Sequence, residues 1–129
     1  EQLFVEKLDS NGTFIWAKQI GDTINNTYDP ALAVTSQGHV IITDGFIGTI
    51  DFDPGPANNV VNANCQNSNA FFLTLDTAGN FVNVRTLQID SSASVTNFTI
   101  DSLGNYYVLF SYYGTIDVDM GAAATSYTS

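Results

Sequence analysis

An all-β fold built from repeated four-stranded units is the class this sequence predicts, and three observations predict it. Hydrophobic residues make up 44% and aromatics 12% of the 129 residues, enough for a packed core in one small domain. Short runs rich in Val, Ile, Phe, Tyr and Thr alternate with tripeptide turns that end in glycine, and no window carries helical periodicity beyond a turn or two. The chain also repeats itself. Residues 3–22 match 70–90, with Gly12 answering to Gly79 at a spacing of 67 residues; residues 32–55 match 98–121, with Gly38 answering to Gly104 and Asp51 to Asp117 at a spacing of 66.

The strands follow in order. "LFVEKLD" and "TFIWAKQ" flank the turn "SNG", and Phe4, Glu6 and Leu8 share one face of the first strand against Val5, Lys7 and Asp9. "LAVT" and "HVIIT" flank "SQG", "AFFLTLD" and "NFVNVRTL" flank "TAG", and "FTID" and "NYYVLF" flank "SLG". Gly12, Gly38, Gly79 and Gly104 stand where a tight hairpin needs positive φ. "FIWA" and "YYVLF" are apolar at successive positions and read as inner strands buried on both faces. The polar stretches 21–30 and 51–69 read as surface loops.

Two hairpins per repeat give four antiparallel strands, which is one blade of a β-propeller. The chain is then a single β-propeller-like segment, 1–129, of two imperfect repeats, 1–68 and 69–129. It opens on the second hairpin of one blade, carries one complete blade over 32–87, and ends after the first hairpin of another. Closed propellers take about four to eight blades, so two cannot close a ring. Either the chain is a segment of a larger propeller, or copies of it complete one another's blades by exchanging hairpins.

Three basic residues against thirteen acidic ones give a net charge of -10, which repels phosphate backbones and anionic bilayers alike. No nucleic-acid partner is expected, and no run approaches the length of a membrane helix. The one cysteine, Cys65, can form no intrachain disulfide and reads as a buried or partly buried free thiol. The one histidine, His39, leaves a zinc site or a histidine-based triad incomplete, and no G-x-S-x-G elbow occurs. The expectation is a non-enzymatic module.

The phrase "GTIDFDPG" returns as "GTIDVDMG", so Asp51 and Asp53 recur as Asp117 and Asp119. Residues two apart on a strand point to one side, roughly 7 Å apart by strand rise. Two readings stand. The carboxylates cap backbone N–H groups where a strand breaks into a turn, or each pair supplies part of a Ca²⁺ site, completed by other oxygens. No other cofactor is expected. Among the aromatics, Trp16, Tyr106 and Tyr107 read as core or cross-strand packing, while Tyr112 and Tyr113, beside a turn, are the candidate ligand-binding pair.

The run "FVEKLDSNGTFIWAKQIG", the strand pattern A-V-T-S-x-G-x-V-I-I-T and "GTIDFDPGP" resemble the SBBP-type β-propeller repeats of secreted and cell-surface proteins of Bacteroidetes and related bacteria. The resemblance spans the first repeat through Pro56. The second repeat departs from it at Asn83, Val84 and Arg85, and at Met120 in place of Pro54. It implies a propeller fold, an extracellular location, and a structural or adhesive scaffold for a protein or glycan partner or for further copies of itself. It transfers no catalytic residue. An accessory module of a larger secreted hydrolase is a further reading. In the same setting "DTI", "DTA" and "DSL" resemble bacterial O-glycosylation sites, marking Thr23, Thr77 and Ser102; Asn-x-Ser/Thr occurs at Asn11, Asn25 and Asn97.

Overall fold

In the computed structural model of the chain, the described residues are 3–21, 30–63, 69–87, 89, 92–121 and 123–129. They are all-β, with every strand pairing antiparallel. Strands β1 (Leu3–Leu8) and β2 (Phe14–Ile20) form a hairpin. Next come β3 (Ala31–Val34), β4 (Val40–Phe46), a small hairpin of β5 (Thr49–Asp51) and β6 (Val60–Asn62), then β7 (Asn69–Leu75) and β8 (Phe81–Leu87). Strands β3-β4-β7-β8 make one four-stranded sheet. A hairpin of β9 (Ser92–Ile100) and β10 (Tyr106–Tyr113) follows, and then another of β11 (Thr115–Asp117) and β12 (Ser126–Thr128). Among the described residues the sheets close no ring.

The four-stranded sheet lies in the middle, and alternation sends its side chains into two cores. Val40, Ile42, Phe46, Phe71, Leu73 and Leu75 pack on one face with Val5 and Ile20 of the first hairpin. Ile41, Ala70, Phe72 and Leu87 pack on the other with Val95 and Phe98 of β9. This is why β7 is buried along its whole length and β4 nearly so: a strand covered on both faces keeps every side chain from solvent, the polar Thr43, Asp44, Asn69 and Thr74 included.

The hairpins share one turn. In Asp9–Thr13, Asp76–Asn80 and Asp101–Asn105 the fourth residue is a glycine at φ near +80° whose N–H donates to the Asp carbonyl, while the Asp N–H donates to the carbonyl of the fifth residue. The Asp Oδ1 accepts N–H bonds from the third and fifth residues, at 2.8 to 2.9 Å in all three turns. Thr35–His39 repeats the backbone pattern with a hydroxyl in place of the carboxylate.

Pairing registers repeat along with the sequence. Leu8 faces Phe14 and Leu75 faces Phe81, each just past a bulge. Val34 faces Val40 as Ile100 faces Tyr106, and Asp51 faces Val60 as Asp117 faces Ser126.

Two expectations are corrected. Residues 51–69 are not all loop: β6 lies within them, Phe52 is fully buried, and Asn69 already belongs to a buried strand. A three-residue strand set between asparagines carries too short a pattern to be recognised. Nor are "FIWA" and "YYVLF" buried on both faces. β10 alternates half-buried and exposed, with Tyr107 57% and Leu109 61% exposed, and Phe14 and Ile15 of β2 are exposed. Each of these strands lies in a hairpin that packs against one core only, so its other face stays open.

Candidate functional site: twin grooves beside the Asp-x-Asp loops

The sequence Gly-Thr-Ile-Asp builds the same small hairpin twice. Gly48 and Gly114 take φ near +80°. Their carbonyls accept N–H bonds from Ala63 at 2.8 Å and Ser129 at 3.0 Å. Thr49 bonds Asn62 and Thr115 bonds Thr128 across the hairpin, while Ile50 and Ile116 turn inward to the two cores.

The aspartates follow from this frame. Asp51 Oδ1 accepts the N–H groups of Asp53 at 3.0 Å and Asn59 at 2.8 Å, and Asp53 Oδ1 accepts that of Gly55 at 2.7 Å. Asp117 and Asp119 make the same three bonds to Asp119, Thr125 and Gly121, at 3.0, 2.9 and 2.7 Å. Each carboxylate thus caps backbone donors at the point where the strand ends. At Gly55 and Gly121 a Cβ would lie 2.9 Å from Oδ1 of Asp53 and Asp119, so a larger residue there would have to displace the capping carboxylate. Each loop offers two carboxylates toward the roughly six to eight oxygens that calcium takes. Among the described residues no group of three or more His, Cys, Asp or Glu gathers at either loop or elsewhere.

A groove runs beside each loop. The first, about 320 Å³, is lined by Gln19, Gly21, Asp51, Asp53, Pro54 and Gly55. The second, about 510 Å³, is lined by Thr86, Thr115, Asp117, Asp119, Met120, Gly121 and Ser126. Gln19 and Thr86 are equivalent positions, as are the two aspartate pairs and Pro54 and Met120. Amide, hydroxyl and carboxylate oxygens therefore face two like clefts, a donor and acceptor set suited to hydroxyl-rich or backbone-like ligands.

Other expected positions fall elsewhere. Tyr112 packs into the second core, whereas Tyr113, 75% exposed, stands on the opposite face of β10, so the two do not form one platform. Adjacent strand residues point apart. Tyr106 joins that core, edge-on to Phe98 and tilted against Phe72, and Trp16 is half-buried against the first. Tyr107 is not core: its hydroxyl donates to Asp101 Oδ2 at 3.2 Å. His39 closes the Thr35 turn. Thr77 and Ser102 are exposed in their turns, and Asn11 and Asn97 are exposed. Thr23, Asn25 and Cys65 lie outside the described residues.

Sequence reading missed the turn aspartates, although D-x-x-G recurs at Asp9, Asp76 and Asp101. Backbone N–H bonds hold these carboxyls below the usual carboxylate range: chiefly that of Thr13 for Asp9 and that of Asn80 for Asp76. For Asp101 the side-chain amide of Asn105 leads. No protein-family model, curated protein or solved structure matches the chain.

Proposed function

We propose that the chain is a non-enzymatic scaffold of stacked, propeller-like β blades in a secreted or cell-surface protein, presenting its paired grooves to a glycan or protein partner. The observation that carries this reading is the recurrence of one groove chemistry, Gln19 with Asp51 and Asp53 and Thr86 with Asp117 and Asp119, on a repeated hairpin frame. Two like sites at fixed spacing suit a partner that is itself repetitive, because binding at one raises the effective concentration at the other. The likeness of the first repeat to SBBP-type repeats supports the blade architecture and the extracellular setting, as does a surface whose polarity comes from Asn, Ser and Thr more than from charge.

The test is an array of oligosaccharides and extracellular proteins probed with the labelled chain. Binding to at least one class is expected. It should weaken in Gln19→Ala and in Thr86→Ala, which leave the aspartate caps intact, and weaken further in the double variant. An array without signal, or signal indifferent to both substitutions, overturns the reading.

A further inference from the structure

The chain carries both halves of a contact that it makes only once. Within the four-stranded sheet the inner strands β4 and β7 pair, Ile41 facing Thr74 and Thr43 facing Phe72. Strand β10 is the counterpart of β4 at a spacing of 66, and β1 is the counterpart of β7 at 67. Both are edge strands here. Edges of soluble sheets are ordinarily blunted by charge, proline or a covering segment. β10, "YYVLFSYY", has neither charge nor proline.

Side chains flanking the two edges tell the same story. Phe52 is fully buried because the ring of Phe71 on β7 lies against it, centroids 4.7 Å apart. Its counterpart Val118 is 40% exposed, and Phe4, the counterpart of Phe71, is 67% exposed. A groove of about 760 Å³ opens beside Val118 and Tyr106. A second groove, about 280 Å³, runs along residues 5–8 of β1 over Leu32 and Val34.

We infer that β10 of one copy pairs with β1 of a second copy, joining β9-β10 to β1-β2 as one four-stranded sheet in the order β9-β10-β1-β2. The inference rests on the stacked-blade reading above and names one partner of that stack. Transferring the internal register by the two spacings puts Tyr107 opposite Lys7, Leu109 opposite Val5 and Phe110 opposite Phe4. The parity agrees with the packing. Leu109 joins the side of Val5, which already faces the second copy's central sheet, while Phe4 joins the side of Phe110, which faces the first copy's. One register thus covers both Phe4 and Leu109. The contact is heterologous, so copies add head to tail.

Chains bearing Lys7→Cys and chains bearing Tyr107→Cys, each also Cys65→Ser, are mixed and oxidised. A covalent heterodimer is expected, while Lys7→Cys with Leu109→Cys, two residues out of register, stays uncoupled. Light scattering of the unsubstituted chain should show species of more than one chain mass that Leu109→Lys abolishes. Should the cysteine variants misfold, hydrogen exchange of the unsubstituted chain reads the same edge: β10 amides should gain protection as concentration rises. A monomer at all concentrations with unprotected β10 amides, or Tyr107→Cys chains coupling with one another in preference to Lys7→Cys chains, overturns the inference. A monomer that still binds the array leaves the scaffold reading standing; oligomers with a blank array do the reverse.

Discussion

The indole N–H of Trp16 donates to the backbone carbonyl of Thr77 across 3.1 Å, and Lys7 Nζ donates to the same oxygen at 3.2 Å. A residue of the first hairpin thereby reads the position of a turn in the central sheet. Trp16→Leu keeps an apolar side chain and loses the donor and part of the contact area. A loss of about 2 kcal/mol is expected, from one hydrogen bond and the ring's packing. Urea unfolding of both proteins checks it; equal midpoints would show that the hairpin is held by other contacts.

Gly79 and Gly12 separate backbone strain from crowding. Both have φ near +80°, but a Cβ at Gly79 would lie 3.0 Å from Trp16 Cδ2 and from Lys18 Cε, whereas nothing lies within 4 Å of one at Gly12. Gly12→Ala should cost about 1 kcal/mol, the left-handed penalty alone. Gly79→Ala should cost more, because the tryptophan must shift as well. Thermal melts of the two variants give the comparison, and equal losses would remove the packing role assigned to Gly79.

Phe52 and Val118 occupy equivalent positions in unequal surroundings. Phe52 touches Phe46 and Phe71 at ring centroid distances of 5.4 and 4.7 Å, so Phe52→Ala should cost about 3–5 kcal/mol through lost burial and a cavity. Val118→Ala in the dissociated chain should cost under about 1 kcal/mol, since the side chain is partly open already. Denaturant unfolding at low protein concentration measures both, and a costly Val118→Ala there would mean that its site is closed within one chain.

Acid should act through the turns. The carboxyls of Asp9, Asp76 and Asp101 are held low by the bonds they accept in the folded chain. A group with a lowered folded pKa stabilises the fold above its unfolded value, about 3.9 for Asp, and that contribution is lost as pH falls through the folded value. Stability should therefore be flat with respect to these groups from neutrality to about pH 5 and decline below about pH 4. Carboxyl NMR titration should find all three groups protonating below the ordinary Asp value of about 3.9. An ordinary midpoint at all three would show that the caps open in solution.

Much of the fold was legible because hairpin formation is local: a glycine at the fourth turn position and alternation on either side suffice to mark four hairpins. Burial was less legible, since it depends on what lies opposite. Phe52 sits between two aspartates and gives no sign of its place in a core, and "YYVLF" is apolar on both sides although only one is covered within the chain. The Asp-x-Asp pairs were visible as a repeated phrase. Their capping bonds were one of two readings that spacing alone left open. The grooves were beyond reach, because Gln19 and Thr86 come to the loops from other strands and nothing in their neighbours' identity announces it.

The bonds that close the first small hairpin use Asp51, Asp53, Gly55 and Asn59, and leave residues 56–58 between them in solvent. In the second copy the same stretch reads Ala-Ala-Ala where the first has Pro-Ala-Asn. The frame is thus indifferent to what its tip spells. A gene that duplicates this unit can rewrite the tip, or lengthen it, as freely as a label on a drawer, and an engineer can insert a peptide epitope there without disturbing the furniture.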